Sequence, residues 1–111
     1  MQKVMMLALL ELAFVLILSV GASAQAEQKY QAQCSSCHGM DGSGSTPAGK
    51  KMGAADLRSQ EVQSLSDQEL FNTIAYGFKH KQYPHAFLRR GLTEKQVADI
   101  VVYIRKLSQH N

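Results

Sequence analysis

The residues in this sequence with the most evident chemistry are Cys34, Cys37 and His38, in the stretch "CSSCHGMDGSG". A C-x-x-C-H run has four readings. A structural zinc site needs four ligands; there is no second cysteine pair, and His80, His85 and His110 are too irregularly spaced to complete a finger. A thioredoxin-type dithiol wants a strand before it and a βαβ context, and nothing in the pattern supplies one. A disulfide is the common fate of two cysteines in an exported protein, but it leaves His38 without a part. Covalent haem uses every element. Two thiols one helical turn apart project to the same side and reach two vinyl groups on one porphyrin edge, and the imidazole that follows is aimed at the iron. The motif reads as the attachment site of one haem c, through thioethers at Cys34 and Cys37 with His38 as an axial ligand.

The elements that must position this motif are helical. "EQKYQAQCSSCHG" has helix-forming composition and stops at Gly39, which predicts a first helix from about Ala26 to Cys37. "GMDGSGSTPAGKKMGAADLRS" is rich in Gly and Ser and carries Pro47, so it reads as a long irregular loop; loops of that length in a compact domain are usually functional or wrapped around something. Ser66 and Glu69 have the spacing of a capping box, Leu70, Ile74 and Ala75 share a face, and Gly77 terminates. "KHKQYPHAFLRR" is a second loop. Thr93 and Gln96 form another capping box, with Leu92 and Val97 placed as a hydrophobic staple. Behind them Val97, Ile100, Val101, Ile104 and Leu107 recur at helical spacing, and Arg105 and Lys106 suit the last turn. Nothing alternates like a strand, so the expected fold class is all-α, with the apolar stripe of the last helix as core.

The N-terminus sets the compartment. "MQKVMMLALLELAFVLILSVGASA" has Lys3, an apolar run from Val4 to Val20 and an A-x-A site at Ala22–Ala24, the layout of a secretory signal. Glu11 would cost roughly 2.5 kcal/mol or more at the centre of a membrane helix, which counts more against a permanent anchor than against a transient signal. The expected organisation is a cleaved signal over residues 1–24 and one domain over 25–111, periplasmic or otherwise exported and soluble once cleaved, with membrane association only if the segment is retained. Lys3 and Glu11 cancel, so the exported part keeps the +3 of the whole chain. That mild excess favours acidic protein surfaces or headgroups without demanding nucleic acid.

On these residues the chain resembles the small class I monohaem c-type cytochromes of bacteria, of the cytochrome c6 and cbb3-subunit kind. The resemblance covers Tyr30 four positions before the first cysteine, "CSSCHGMDGSG", "MGAADLRSQEVQSLSDQEL" and "GLTEKQVADIVVYIRKL". It implies three main helices around the haem, the first and last crossing near Tyr30 and Tyr103. It also implies that the region of Pro47 offers a backbone carbonyl to the N–H of the His38 imidazole, a bond that orients the ring and raises its basicity.

One departure from the family bears on function. The family holds the far side of the iron with a methionine before the last helix; here that stretch is "QYPHAFLRRGL", and no methionine follows Met52. Aligning on Pro84 puts Tyr83 at the ligand position; counting back from Leu92 puts His85 there. A tyrosine hydroxyl has a pKa near 10 and needs activation, whereas neutral imidazole is available at pH 7, so His85 is the preferred ligand. His80, Tyr83, Met52 and an open sixth site are the alternatives. His80 between Lys79 and Lys81 also reads as a solvated loop residue.

The expected role is a one-electron carrier in a respiratory chain rather than an enzyme, and the basic residues Lys50, Lys51, Lys79, Lys81, Arg89 and Arg90 favour redox partners with acidic surfaces. With histidine in place of methionine its potential is expected to be low for the family. The competing expectation is a gas-binding sensor or a peroxidase-type protein with a labile or open sixth site.

Overall fold

The computed structural model of the chain describes residues 1–77 and 84–110, with the helix backbone alone at 13–20, 22 and 110. Among these residues six α-helices follow in order: α1 Gln2–Gln33, α2 Ser35–His38, α3 Pro47–Met52, α4 Gln60–Gln63, α5 Asp67–Tyr76 and α6 Glu94–Leu107, and a 3-10 turn at Ser108–His110 closes the described chain. No strand occurs among the described residues, and the class is all-α.

α6 is built as its pattern predicts. The Thr93 hydroxyl accepts from the Gln96 N–H while the Gln96 side chain accepts from the Thr93 N–H, satisfying two donors that a helix start leaves orphaned. Val97, Ile100, Val101, Ile104 and Leu107 are all buried, each contributing about 1.5–3 kcal/mol relative to exposure. α5 repeats the device with Ser66 and Glu69 and buries Leu70, Ile74 and Ala75. α1 and α5 both pack on α6. Three main helices thus share one core, which also takes in Leu57, Val62, Phe87 and Leu92.

The crossing of α1 and α6 is aromatic. Tyr30 and Tyr103 meet with ring centroids 4.8 Å apart at 43°. Tyr30 is fully buried, and its hydroxyl donates to the Gly39 carbonyl at 2.8 Å. A phenol so placed would carry a heavy desolvation cost without that acceptor; burial pushes its pKa well above the ordinary tyrosine range.

Two expectations about elements are corrected. The first helix does not begin near Ala26 but runs unbroken from Gln2 to Gln33, because the apolar N-terminal run is itself helix-forming and no proline interrupts it; the Cys34–His38 turn is then a separate short helix. The loop after the cysteine motif is not wholly irregular. Thr46 caps α3 by accepting from the Gly49 N–H, Pro47 occupies the first turn, and Gly53 ends the helix at φ 68°. Threonine, proline and glycine at those positions are ordinary start and stop signals, masked in the sequence by the surrounding Gly and Ser. No helix among the described residues is long and apolar enough to cross a membrane.

Candidate functional site

The site is assembled around the short turn that carries the cysteines. The N–H groups of Cys37 and His38 both donate to the Cys34 carbonyl, at 3.3 and 2.9 Å, and the Gly39 N–H donates to Ser35 at 2.8 Å. The motif is therefore one helical turn, with both thiols half-buried and free. Cys34 packs against the core, and burial pushes its thiol pKa up to about 12, so it stays protonated at neutral pH.

α3 braces that turn. The Thr46 hydroxyl reaches the Ser36 and Cys37 carbonyls at 2.8 and 3.0 Å. Gly49 lies so close that an added methyl would land on the carbonyl oxygens of Cys37 and Gly44. Gly44 itself adopts φ 73° and faces the Ala54 carbonyl. These contacts require glycine at both places: a side chain at Gly49 would push α3 away from Cys37, and one at Gly44 would collide with the Ala54 and Ala55 carbonyls.

The His38 ring is oriented from the same loop, by a different residue from the expected one. Its Nδ1 lies 2.9 Å from the Ala55 carbonyl oxygen. A carbonyl can only accept, so Nδ1 carries a proton and Nε2 is the nitrogen left to face a metal. Pro47 does not supply this acceptor: it opens α3, whose backbone is committed to helix, while the chain returns to the imidazole eight residues later. Ala55 escaped sequence reading because a backbone carbonyl leaves no mark in the side-chain pattern.

Opposite His38 stands His85. The two imidazole centroids are 6.3 Å apart with ring planes only 16° from parallel. That is too far for ring-on-ring contact, where atoms approach within about 4 Å. Two imidazoles sharing one metal ion would have a similar span: bonds of about 2.0–2.1 Å on each side, plus roughly 1 Å from each nitrogen to its ring centre, make about 6 Å. Half-burial pushes the His85 pKa down, and the charges of His38 and Arg90 push it further in the same direction. The ring is therefore neutral at pH 7, the form that binds metal. No cluster of three or more protein ligands that could hold a metal ion occurs among the described residues, so a metal held between these imidazoles would need its remaining ligands from another group, such as a macrocycle. The donor set thus fits a haem: two thiols on one turn, one oriented imidazole beside them, and a second imidazole across the gap.

Of the other ligand candidates, Met52 ends α3 with an exposed side chain, and Met40 is exposed as well. His80 and Tyr83 lie outside the described residues, as do Lys79 and Lys81. Two surface grooves, of about 600 and 260 Å³, lie elsewhere, one against α1 and α6 and the other against α5 and α6; neither is lined by a histidine or a cysteine.

A helical shell that presents a cysteine pair and an oriented imidazole to one macrocycle defines a haem-binding electron-transfer domain. The model of the cytochrome c family matches residues 23–108, and the chain belongs to that family as a class I c-type cytochrome. Its cofactor is accordingly haem c, covalently attached and carrying iron, and its role is that of a haem-based electron carrier. Among curated proteins no relative matches the chain.

Proposed function

We propose that this cytochrome is an exported one-electron carrier of a respiratory chain, with its haem attached through Cys34 and Cys37 and held axially by His38 and His85. The observation that carries the reading is the 6.3 Å separation of the two imidazoles. Bound haem supplies a ferric–ferrous couple, and the residues around it keep ligation fixed while the electron enters or leaves. Ala55 holds the His38 tautomer, and burial keeps His85 neutral. Methionine opposite histidine raises a haem potential; histidine in its place lowers it. Lys50 and Lys51, in the last turn of the helix that braces the cysteines, and Arg89 and Arg90 favour a redox partner with an acidic docking surface. Residues 1–24 are read as a signal removed on export.

The test is spectroscopic. The oxidised protein is expected to be low-spin at neutral pH, to become high-spin or water-ligated in His85→Ala, and to titrate at a potential below that of histidine–methionine relatives. Carbon monoxide added to the reduced protein should bind only as fast as the sixth ligand leaves. Immediate binding would instead mark an open site and favour gas binding or peroxide chemistry, and an unchanged spectrum in His85→Ala would remove His85 from the iron.

A further inference from the structure

The segment that carries His85 is held unevenly. From Phe87 onward it is tied to α5 by backbone bonds: Phe87 N–H to the Ile74 carbonyl at 2.9 Å and Leu88 N–H to Ala75 at 3.3 Å. The N–H groups of Arg90 and Leu92 then close back on the Phe87 carbonyl, each at 3.0 Å. Upstream the backbone has less to offer. Pro84 has no N–H to donate, and Ala86 sits at φ 64°, the one non-glycine at positive φ among the described residues. A residue held in that region persists where its surroundings over-determine it.

What reaches across the gap is Arg90. Its Nη1 donates to the Pro84 carbonyl at 2.6 Å, and its guanidinium lies 4.5 Å above the Phe87 ring centroid. The Phe87 ring is in turn 6.3 Å from the His85 imidazole at 54°. One flat cation therefore ties the residue before His85 to the buried ring two residues after it. Arginine suits this work because its planar fork stacks and donates at the same time, which a lysine ammonium does not do.

We propose that Arg90 is the positioning residue of the sixth-ligand loop, clasping Pro84 to Phe87 so that the His85 imidazole is held opposite His38. The proposal rests on the reading of His85 as the axial ligand, and its test separates the two. The experiment uses the haem-loaded, reduced protein at mildly alkaline pH, where imidazole is neutral in every variant. Carbon monoxide is mixed in at rising concentration, and the limiting rate at saturation reports how fast the sixth ligand leaves. Arg90→Ala is expected to raise that rate about tenfold, the loss expected of one hydrogen bond. Arg90→Lys, which keeps the charge and loses the stack, is expected to raise it by less but measurably.

A limiting rate unchanged in Arg90→Ala overturns the proposal, and so does a wild-type rate in Arg90→Lys, since charge alone would then suffice. Arg90→Lys also decides the matter by itself if the alanine variant is too unstable to purify. His85→Ala is the control. Loss of the limiting rate in that variant upholds His85 as the ligand whatever Arg90 does, and an unchanged limiting rate overturns the ligand assignment and the clasp with it.

Discussion

At the scale of residues, the site depends on two that look unremarkable in the sequence, Ala55 and Ala86. Ala55 contributes only its carbonyl, yet that oxygen fixes which nitrogen of His38 is free. Ala86 is buried beside the proposed ligand at φ 64°. The left-handed conformation costs a non-glycine residue about 1–2 kcal/mol. Ala86→Gly removes that strain but also removes a buried methyl, worth about 0.8 kcal/mol, and adds roughly 0.4–1 kcal/mol of unfolded-state entropy; the changes nearly cancel, so its denaturation midpoint should barely move. Ala86→Val is different, since a β-branched side chain is a genuine outlier at positive φ and must also find room in a packed core. Overpacking costs about 1–3 kcal/mol and the backbone strain adds to it, so urea melts of the haem-loaded protein should show Ala86→Val less stable by about 2–4 kcal/mol, with Ala86→Gly close to wild type. Residue types make Cys34, Cys37 and His38 readable as a candidate group, because a thiol pair with an adjoining imidazole has specific chemistry, whereas His85 is reached only by counting back from Leu92 along the family pattern. The acceptor for His38 was not legible: the family resemblance points to the region of Pro47, while the carbonyl beside the ring belongs to an alanine, whose side chain gives no sign of it.

Among the elements, the capping boxes carry the clearest link from sequence to structure. Ser66–Glu69 and Thr93–Gln96 both form reciprocally, and both helices begin where those pairs place them. These were legible because a cap is a local code read within four residues, and the stripe of α6 because its period is unbroken. The extent of α1 and the existence of α3 were not, since the first depends on a helix-forming segment read as a separate leader and the second is a short helix stabilised by its contact with the Cys37 turn. The two boxes also differ in a measurable way. The Ser66 N–H donates to the Glu69 carboxylate at 2.7 Å and, with the Ser66 side chain beside it, holds that carboxyl's pKa below the usual value, whereas Gln96 does not titrate. A carboxylate whose folded pKa is depressed stabilises the fold above its unfolded pKa, about 4.3 for glutamate, and that stabilisation is lost as pH falls through the lower folded value. Thermal midpoints of the wild type and of Glu69→Gln should therefore differ least at low pH and diverge as pH rises through about 3 to 5. Asp41 and Asp56, also depressed by hydrogen bonds, remain in both proteins and drop out of the difference. A constant offset across that window would show that the Glu69 charge adds nothing to the cap.

The whole molecule is elongated for its length, and one element accounts for this. Its radius of gyration is 17.4 Å and its longest extent 63 Å, against a radius of about 13 Å for a compact chain of this size. A helix of 32 residues is about 48 Å long at 1.5 Å per residue, more than the cytochrome body needs. Among the residues of α1 whose side chains are described, Ala26 is the first that is buried, and residues 1–12 are exposed. Tyr30, near the far end, carries the packing on α6. The N-terminal part makes one described side-chain bond to the body, Lys106 Nζ to Ser23 Oγ at 3.1 Å, and it is exposed. An exposed bond of this kind contributes at most about 0.5–1.5 kcal/mol, while the core of α1, α5 and α6 contributes many times that. The described contacts that hold the haem site thus lie outside residues 1–24, as expected if that segment is a leader. A haem-loaded protein beginning at Gln25 should unfold in guanidinium within about 1 kcal/mol of the full-length protein and with the same oxidised spectrum, because Cys34, His38 and His85 are positioned by Tyr30, Ala55 and the α5 backbone, all beyond the cut. A loss of several kcal/mol, or a change of spin state, would mean that residues 1–24 brace the domain and are not a detachable leader.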